Sequence, residues 1–148
     1  LFGRSQILHG QITVIHDGYN ANPDSIRQLL AFAGPLRWPG RKIAVLGSMK
    51  ELGQESEEAH RRVGAEVAVS GFEALFLFGE EMRAAFQTLR ESGYGGLGEW
   101  TADYDHLRRR LTQFVRPGDL VFLKGSRAVE LERLLPALAV RQVDSEEG

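Results

Sequence analysis

The stretch ITVIHDGYNANPDSIRQLL, residues 12–30, decides the fold of this chain. It begins with a continuous apolar run at residues 12–15, passes through a polar loop and ends in apolar residues at helical spacing. A continuous run is typical of a strand that is covered on both faces, as in a parallel sheet. Asn22 followed by Pro23 is the pair expected at the N-cap and first turn of a helix. The stretch therefore predicts a strand, a loop and a helix in succession.

The same succession of an apolar run and a helical pattern recurs along the chain. Further strands are predicted at residues 43–46, 74–78 and 120–123, with a weaker one at 97–101. A last helix is predicted around residues 131–138, with Ser126 able to cap it. Strands that alternate with helices indicate right-handed crossovers. We therefore predict an α/β fold, a three-layer, mainly parallel Rossmann-like sheet with helices on both faces.

Composition excludes several classes of protein. The 148 residues carry a formal net charge of −2 from 18 basic and 20 acidic side chains, which argues against a broad nucleic-acid-binding face. The sequence has no cysteine and its 4 histidines are scattered, so we expect no disulfide and no zinc or di-iron site. No apolar run approaches the roughly 18 residues of a membrane span. The sequence also lacks a GxxxxGK(S/T) phosphate-binding loop.

The length of the chain suits one domain. We predict a linker from a preceding domain at residues 1–10, the domain itself at 11–140 and a loose tail at 141–148. Because the chain begins with Leu1 rather than methionine, we expect it to be a piece of a longer protein.

Polar residues follow the first predicted strand, at the sheet edge where α/β proteins bind ligands. The Asp17 carboxylate can accept hydrogen bonds from a ribose diol, or it can be a plain turn residue. Asn20 is the better ligand candidate beside it, because Asn22 is expected to cap the helix. Tyr19 can stack on a base or simply pack. On local sequence alone, both interpretations are open for Asp17 and for Tyr19.

The loop after the second strand, residues 47–53, adds a hydroxyl group to this edge. Ser48 is expected to face the cleft, whereas Lys50 and Glu51 are expected to be solvated rather than catalytic. His60, about one turn into the next helix, can face the cleft edge, but packing is the commoner role of a lone helical histidine.

The third loop, Lys124-Gly125-Ser126-Arg127, adds two cations. Glycine lets the backbone approach a ligand, and the N–H groups of a helix that starts at Ser126 favour an anion. Arg127 can hold a carboxylate through two parallel hydrogen bonds. The alternative is a capped helix with solvated cations, and the two interpretations carry equal weight.

Three segments of the sequence resemble signatures of the Mur ligase family. Residues 17–25 are DGYNANPDS, residues 45–53 are VLGSMKELG and residues 123–128 are LKGSRA. They are similar to DSYNANPDS, VLGDMxELG and VKGSRA of the branch that adds D-alanyl-D-alanine to UDP-N-acetylmuramoyl-tripeptide, and they occur in the same order. The resemblance implies the C-terminal domain of a three-domain, ATP-dependent amide ligase of peptidoglycan precursor synthesis in the bacterial cytoplasm.

The resemblance also implies roles for individual residues. It implies that Asp17 meets the ATP ribose and that the nucleotide-binding residues include Tyr19, Asn20 and Asn22. It implies that the residues that bind the dipeptide substrate are Ser48, Lys124, Gly125, Ser126 and Arg127. No catalytic residue or metal ligand is expected in this domain, because the central domain of such a ligase holds most of the ATP and the magnesium. The N-terminal and central domains of the same enzyme are the expected protein partners.

Three residues depart from the family pattern, His16, Gly18 and Ser48. The usual residues at these positions are an acid, a small hydroxyl residue and an aspartate. Two other functions stay open at this point. The chain can belong to another Mur-type amino acid ligase, or it can be a free-standing α/β module that binds a nucleotide or an anion without catalysis.

Overall fold

One sheet of six strands organises the described residues, 6–8, 11–17 and 20–138, of the computed structural model. The strands are β1 (Gln6–Leu8), β2 (Thr13–Asp17), β3 (Lys42–Gly47), β4 (Ala74–Phe78), β5 (Leu97–Thr101) and β6 (Leu120–Lys124). Their order across the sheet is β1-β2-β6-β3-β4-β5. All neighbours from β2 to β5 are parallel, and only β1, within the predicted linker, pairs in the antiparallel direction. The predicted mainly parallel sheet, including its weak strand at 97–101, is confirmed.

Four α-helices accompany these strands in the described part of the chain, and residues 135–138 at its end are also helical. They are α1 (Pro23–Ala33), α2 (Ser56–Ala68), α3 (Met82–Glu91) and α4 (Tyr104–Phe114). One core holds the buried faces of α1, α2 and α3 against one side of the sheet. A second core holds α4 and the segment after β6 against the other side, which confirms the three layers. None of the described helices is long and apolar enough to cross a membrane.

The start of α1 follows the prediction made from Asn22 and Pro23. The Ser25 backbone N–H donates to Asn22 Oδ1 at 2.8 Å, and the Asn22 N–H donates to Ser25 Oγ at 3.0 Å. This reciprocal pair satisfies N–H groups that a helix start leaves without partners, and it contributes about 1 kcal/mol. It fixes the direction in which the loop after β2 enters the helix.

The segment after β6 differs from its prediction. The predicted helix at residues 131–138 is confirmed only in part: residues 135–138 are helical, but two short 3₁₀ turns, Arg127–Val129 and Leu131–Leu134, come before them. Between them, Glu130 adopts a left-handed conformation with φ 51°, which interrupts any continuous helix. The Ser126 side chain makes no capping hydrogen bond. The leucine spacing did not distinguish the 3₁₀ turn at Leu131–Leu134 from the helical residues 135–138, because residues three apart share one face in both.

The buried side chain of Lys42 caps the C-terminal end of α1. Lys42 is 9% exposed at the start of β3, and its Nζ donates to the carbonyl oxygens of Ala33, Gly34 and Leu36 at 2.8, 3.2 and 3.0 Å. The last carbonyl groups of a helix lack intrahelical partners, and a cation near them also interacts favourably with the helix dipole. Lys42 thus connects the end of α1 to the central strand β3.

Replacing Lys42 with methionine leaves these three carbonyl groups without their donor. We expect Lys42→Met to lower the free energy of unfolding of the 148-residue chain by about 2–4 kcal/mol, measured by urea denaturation. Lys50→Met is the matched control, because its ion pair with Glu81 is partly exposed. The control should change the free energy by less than about 1 kcal/mol. Equal effects of the two substitutions would contradict the capping role.

Candidate functional site

The strand order brings three loops to one edge of the sheet. Strand β6 lies between β2 and β3 and is parallel to both, so the loops that follow these three strands leave the sheet side by side. A pocket of about 390 Å³ lies among them. Its lining residues are Asn20, Lys50, Glu51, Ser126, Arg127 and Ala128. The predicted cleft therefore forms from all three loops, at the edge where α/β sheets bind ligands.

Two of the predicted ligand-binding side chains pair with each other. Lys124 Nζ donates to Asp17 Oδ2 at 2.8 Å, and the side chains are only 3% and 7% exposed. The two residues are register partners on β6 and β2. The charge of Lys124 is therefore neutralised by Asp17. This pairing was not predicted from the sequence. Asp17 Oδ1 has no hydrogen bond to any described residue, so this oxygen can accept one from a ligand.

Ser48 lies in the interior and does not face the cleft as predicted. It is 0% exposed, and its hydroxyl lies 3.4 Å from the Phe78 carbonyl oxygen, to which it donates. Its backbone N–H donates to the same oxygen at 2.9 Å. Gly79 allows this arrangement, because a Cβ at Gly79 would lie 2.1 Å from Ser48 Oγ. Ser48 thus joins the ends of β3 and β4, and the prediction of its orientation was wrong.

Gly125 packs against the neighbouring strand. A Cβ at Gly125 would lie 3.3 Å from the Gly47 Cα and 2.7 Å from Val129 Cγ2. A Cβ at Gly47 would meet the same Val129 methyl group at 2.6 Å. The two glycines let the 3₁₀ turn after β6 lie directly over the strand ends. The structure therefore explains Gly125 by backbone packing, whereas the sequence analysis explained it by the approach of a ligand.

The His60 side chain holds the loop after β3 through a hydrogen bond to the loop backbone. Its side chain is 0% exposed, and Nε2 accepts a hydrogen bond from the Met49 N–H at 3.0 Å. Nδ1 then carries the proton and donates to the Ser56 carbonyl oxygen at 2.7 Å. Burial lowers the pKa of His60, and nearby Lys50 acts in the same direction, against the Ser56 hydrogen bond and the charge of Glu81. Of the two roles considered, the structure supports packing.

Glu81, from the loop after β4, is a residue of this edge that the sequence analysis missed. Its carboxylate accepts from Lys50 Nζ at 3.0 and 2.9 Å. Burial would raise the pKa of Glu81, but the hydrogen bonds from Lys50 and from the Glu81 backbone outweigh burial and lower it, with smaller contributions from the nearby Ser48 hydroxyl and the Lys50 charge. The signal was available, since an acidic pair, Glu80 and Glu81, follows the strand after a single glycine. Lys50 is consequently neutralised at the pocket wall.

The remaining residues predicted to bind a ligand differ from one another in exposure and hydrogen bonding. Arg127 is exposed, and its guanidinium has no ion pair or hydrogen bond within the described ranges. The buried Ser126 hydroxyl has no hydrogen-bond partner there either. Asn20 is exposed, with Oδ1 accepting from the Ala21 N–H at 2.9 Å, while Asn22 caps α1. Tyr19 and Gly18 lie outside the described residues.

The described residues contain no group of three acidic, histidine or cysteine side chains that could hold a metal ion. This edge of the sheet holds the buried carboxylate of Asp17, whose Oδ1 has no hydrogen bond to a described residue, together with the unpaired cation of Arg127 and the polar groups of the pocket lining. Such a set suits a ligand that carries hydroxyl groups and a carboxylate. Fold and pocket together define an α/β domain with a candidate ligand site at the carboxyl ends of the strands.

Comparison with known proteins identifies the family. The family described as Mur ligase, glutamate ligase domain, matches residues 3–127. The chain belongs to this family. The predicted resemblance to Mur ligases is thereby confirmed over most of the chain.

Individual relatives agree with the family assignment. The chain is 40% identical over 141 residues to UDP-N-acetylmuramoyl-tripeptide–D-alanyl-D-alanine ligase of Treponema pallidum, covering 93% of this chain and 30% of that protein. It is 30% identical over 135 residues to the ligase of the same name from Escherichia coli, covering 90% and 28%. Among solved structures, MurF ligase from Thermotoga maritima in complex with ADP matches with a TM-score of 0.73 at 29% identity, covering 92% and 30%. The chain thus spans about 30% of the length of these relatives.

The buried ion pair predicts a strong coupling between Asp17 and Lys124. Lys124→Met leaves the Asp17 carboxylate buried without its partner, so we expect a loss of about 3–5 kcal/mol in the free energy of unfolding. Adding Asp17→Asn to Lys124→Met removes the stranded charge and should restore part of that loss. Urea denaturation of the two single variants and the double variant measures the coupling. Strictly additive losses would show that the pair does not interact.

His60 predicts a dependence of stability on pH. Because its pKa in the folded chain is below the ordinary 6.5, the unfolded chain binds the proton first as the pH falls. The contribution of neutral His60 is therefore complete above about pH 6.5 and is lost as the pH falls towards the lowered pKa, by up to about 1.4 kcal/mol per pH unit. His60→Gln should flatten this part of a pH series of urea denaturation curves. The exposed His106→Gln is the control, and equal slopes in both variants would refute the assignment.

Proposed function

We propose that this chain is the domain of an ATP-dependent ligase that closes over ATP and positions D-alanyl-D-alanine for transfer to UDP-N-acetylmuramoyl-tripeptide. The observation that carries the proposal is the meeting of three loops, each with a Mur ligase signature, around one pocket. Relatives that carry this ligase name match over about nine-tenths of the chain. The other domains of such a ligase, at the N-terminus and centre, are the proposed partners.

The nucleotide is proposed to bind on the side of Asp17. A carboxylate at the end of a parallel strand can accept hydrogen bonds from the ribose hydroxyl groups, as in dinucleotide-binding folds. Lys124 holds Oδ2 of this carboxylate at 2.8 Å and leaves Oδ1 available. The relative from Thermotoga maritima was solved with ADP, which supports a nucleotide role for the family. Asn20 is exposed, and its amide NH₂ group has no hydrogen-bond partner within the described residues.

The dipeptide is proposed to bind on the side of Arg127. A guanidinium that has no protein partner can form two parallel hydrogen bonds with a terminal carboxylate. Arg127 and the Ser126 residue before it both line the pocket. The Ser126 hydroxyl is buried without a partner, so it can turn to a ligand without breaking a hydrogen bond within the described residues.

The contribution of this domain to the reaction is positional. In the proposed reaction, ATP converts the tripeptide carboxyl group to an acyl phosphate, and the amine of the dipeptide then displaces the phosphate. Holding that amine in line with the acyl phosphate removes an entropic barrier. Closing the domain over the site also keeps out water that would hydrolyse the acyl phosphate. The magnesium that accompanies ATP is proposed to be held by the central domain.

The two sides of the site predict opposite kinetic effects in the intact protein. Asp17→Asn should raise the KM for ATP about tenfold, because the ribose loses a charged acceptor, with a smaller effect on the dipeptide. Arg127→Ala should raise the KM for D-alanyl-D-alanine at least tenfold, with little effect on ATP. Release of ADP in the presence of all three substrates measures both constants.

Two controls separate these roles from general damage. Arg127→Lys keeps the charge but not the two parallel hydrogen bonds, so it should lie between the wild type and Arg127→Ala. Asp17→Asn must retain the circular dichroism spectrum of the wild type. An Arg127→Ala variant that is impaired towards ATP rather than the dipeptide would reverse the assignment. ATP binding without ADP release on adding the two acceptor substrates would favour the alternative of a module without catalysis.

A further inference from the structure

Some charged side chains at the pocket have ion-pair partners and others do not. Lys50 is neutralised by Glu81 at 2.9 Å, and the nearby Lys124 is neutralised by Asp17 at 2.8 Å. Among the described lining residues this leaves one cation, Arg127, and one anion, Glu51, and neither has an ion pair. A pocket that offers a single free charge of each sign is complementary to a ligand that carries both an ammonium and a carboxylate group.

The backbone fixes the place of Glu51 in the pocket wall. Its φ is 63°, in the left-handed region that favours glycine, so a side chain here costs about 1 kcal/mol relative to glycine. The loop is held on either side of it, because the Met49 N–H is bound by His60 and the Glu55 N–H donates to the Leu52 carbonyl oxygen at 3.2 Å. Glu51 is therefore presented from a constrained backbone, and its exposed carboxylate has no partner within the described residues.

We propose that Glu51 binds the ammonium group of a zwitterionic amino acid or peptide whose carboxylate binds Arg127. The proposal rests on the proposed function, and it adds a residue that selects the incoming substrate by its free amino group. Glu51 lies in the loop after β3, and Arg127 lies in the loop after β6. These adjacent parallel strands bring both side chains to the wall of one pocket. A ligand that bridges the two side chains is held at both ends and has a defined direction in the pocket.

This arrangement gives selectivity as well as affinity. An anionic ligand without an ammonium group meets Arg127 but is repelled by Glu51, because like charges that approach each other destabilise the complex. A ligand with a blocked amino group gains nothing from Glu51. Discrimination between a zwitterion and its blocked analogue therefore measures the contribution of this carboxylate directly.

The test compares D-alanyl-D-alanine with N-acetyl-D-alanyl-D-alanine in the intact protein. The first is the substrate, and the second keeps the carboxylate but has no ammonium group, so it serves as a competitive inhibitor. Glu51→Gln should raise the KM for the dipeptide about tenfold and leave the inhibition constant of the acetylated analogue unchanged or lower. The KM for ATP should stay within about twofold of the wild-type value.

Two further variants separate the carboxylate from the backbone. Glu51→Gly removes the charge and relieves the positive φ, so it should fold at least as well as the wild type and raise the KM for the dipeptide as Gln does. Glu55→Gln changes an exposed acid of the same loop that does not line the pocket, and it should leave the dipeptide KM unchanged.

The outcomes distinguish this inference from the function on which it rests. If the wild-type protein uses the dipeptide but Glu51→Gln leaves its KM unchanged, the role of Glu51 is wrong and the proposed function stands. Equal weakening of the dipeptide and its acetylated analogue would also overturn the role, because the effect would not depend on the ammonium group. If the wild-type protein does not use the dipeptide at all, the proposed function fails, and the Glu51 inference fails with it.

Discussion

The ion pair between Asp17 and Lys124 joins two strand ends that are 107 residues apart in the sequence. Removing either charge from water costs several kcal/mol, and among the described residues the partner at 2.8 Å offsets that cost. The strand ends must therefore stay in register, Asp17 opposite Lys124, for either residue to be tolerated. Because Lys124 is also opposite Leu46 of β3, the same register aligns the third loop. The pocket exists because these three strand ends are level with one another.

Most of the fold could be predicted from the sequence because it depends on local patterns. Continuous apolar runs identify buried parallel strands, and the cap at Asn22 identifies the start of α1. The segment after β6 could not be assigned in this way. The spacing of its leucines suits a 3₁₀ turn as well as an α-helix, so the place where the helical residues 135–138 begin and the left-handed Glu130 before them have no local signal. Short β1 lies at the sheet edge, where its pairing depends on β2 rather than on its own sequence.

Less of the site could be predicted, because its contacts join residues that are distant in the chain. The sequence indicates which loops carry polar residues, and the structure places these loops together. It does not indicate that β6 inserts between β2 and β3, so the pairing of Lys124 with Asp17 was not foreseeable. Ser48 was misplaced for the same reason, since its burial depends on Gly79 at the end of a neighbouring strand. Glu81 was missed because its partner, Lys50, comes from another loop.

Neutralisation of the cations at this edge limits what the edge can bind under the proposed function. Three basic side chains gather there, but Asp17 occupies Lys124 and Glu81 occupies Lys50. Among the described residues that line the pocket, the single free cation is Arg127, which matches one carboxylate and is insufficient for the several charges of a triphosphate. The sequence also has no phosphate-binding loop of the GxxxxGK(S/T) type. Both observations therefore favour the proposal that this domain binds the ribose and the incoming zwitterion. Under that proposal, another part of the enzyme neutralises the phosphates.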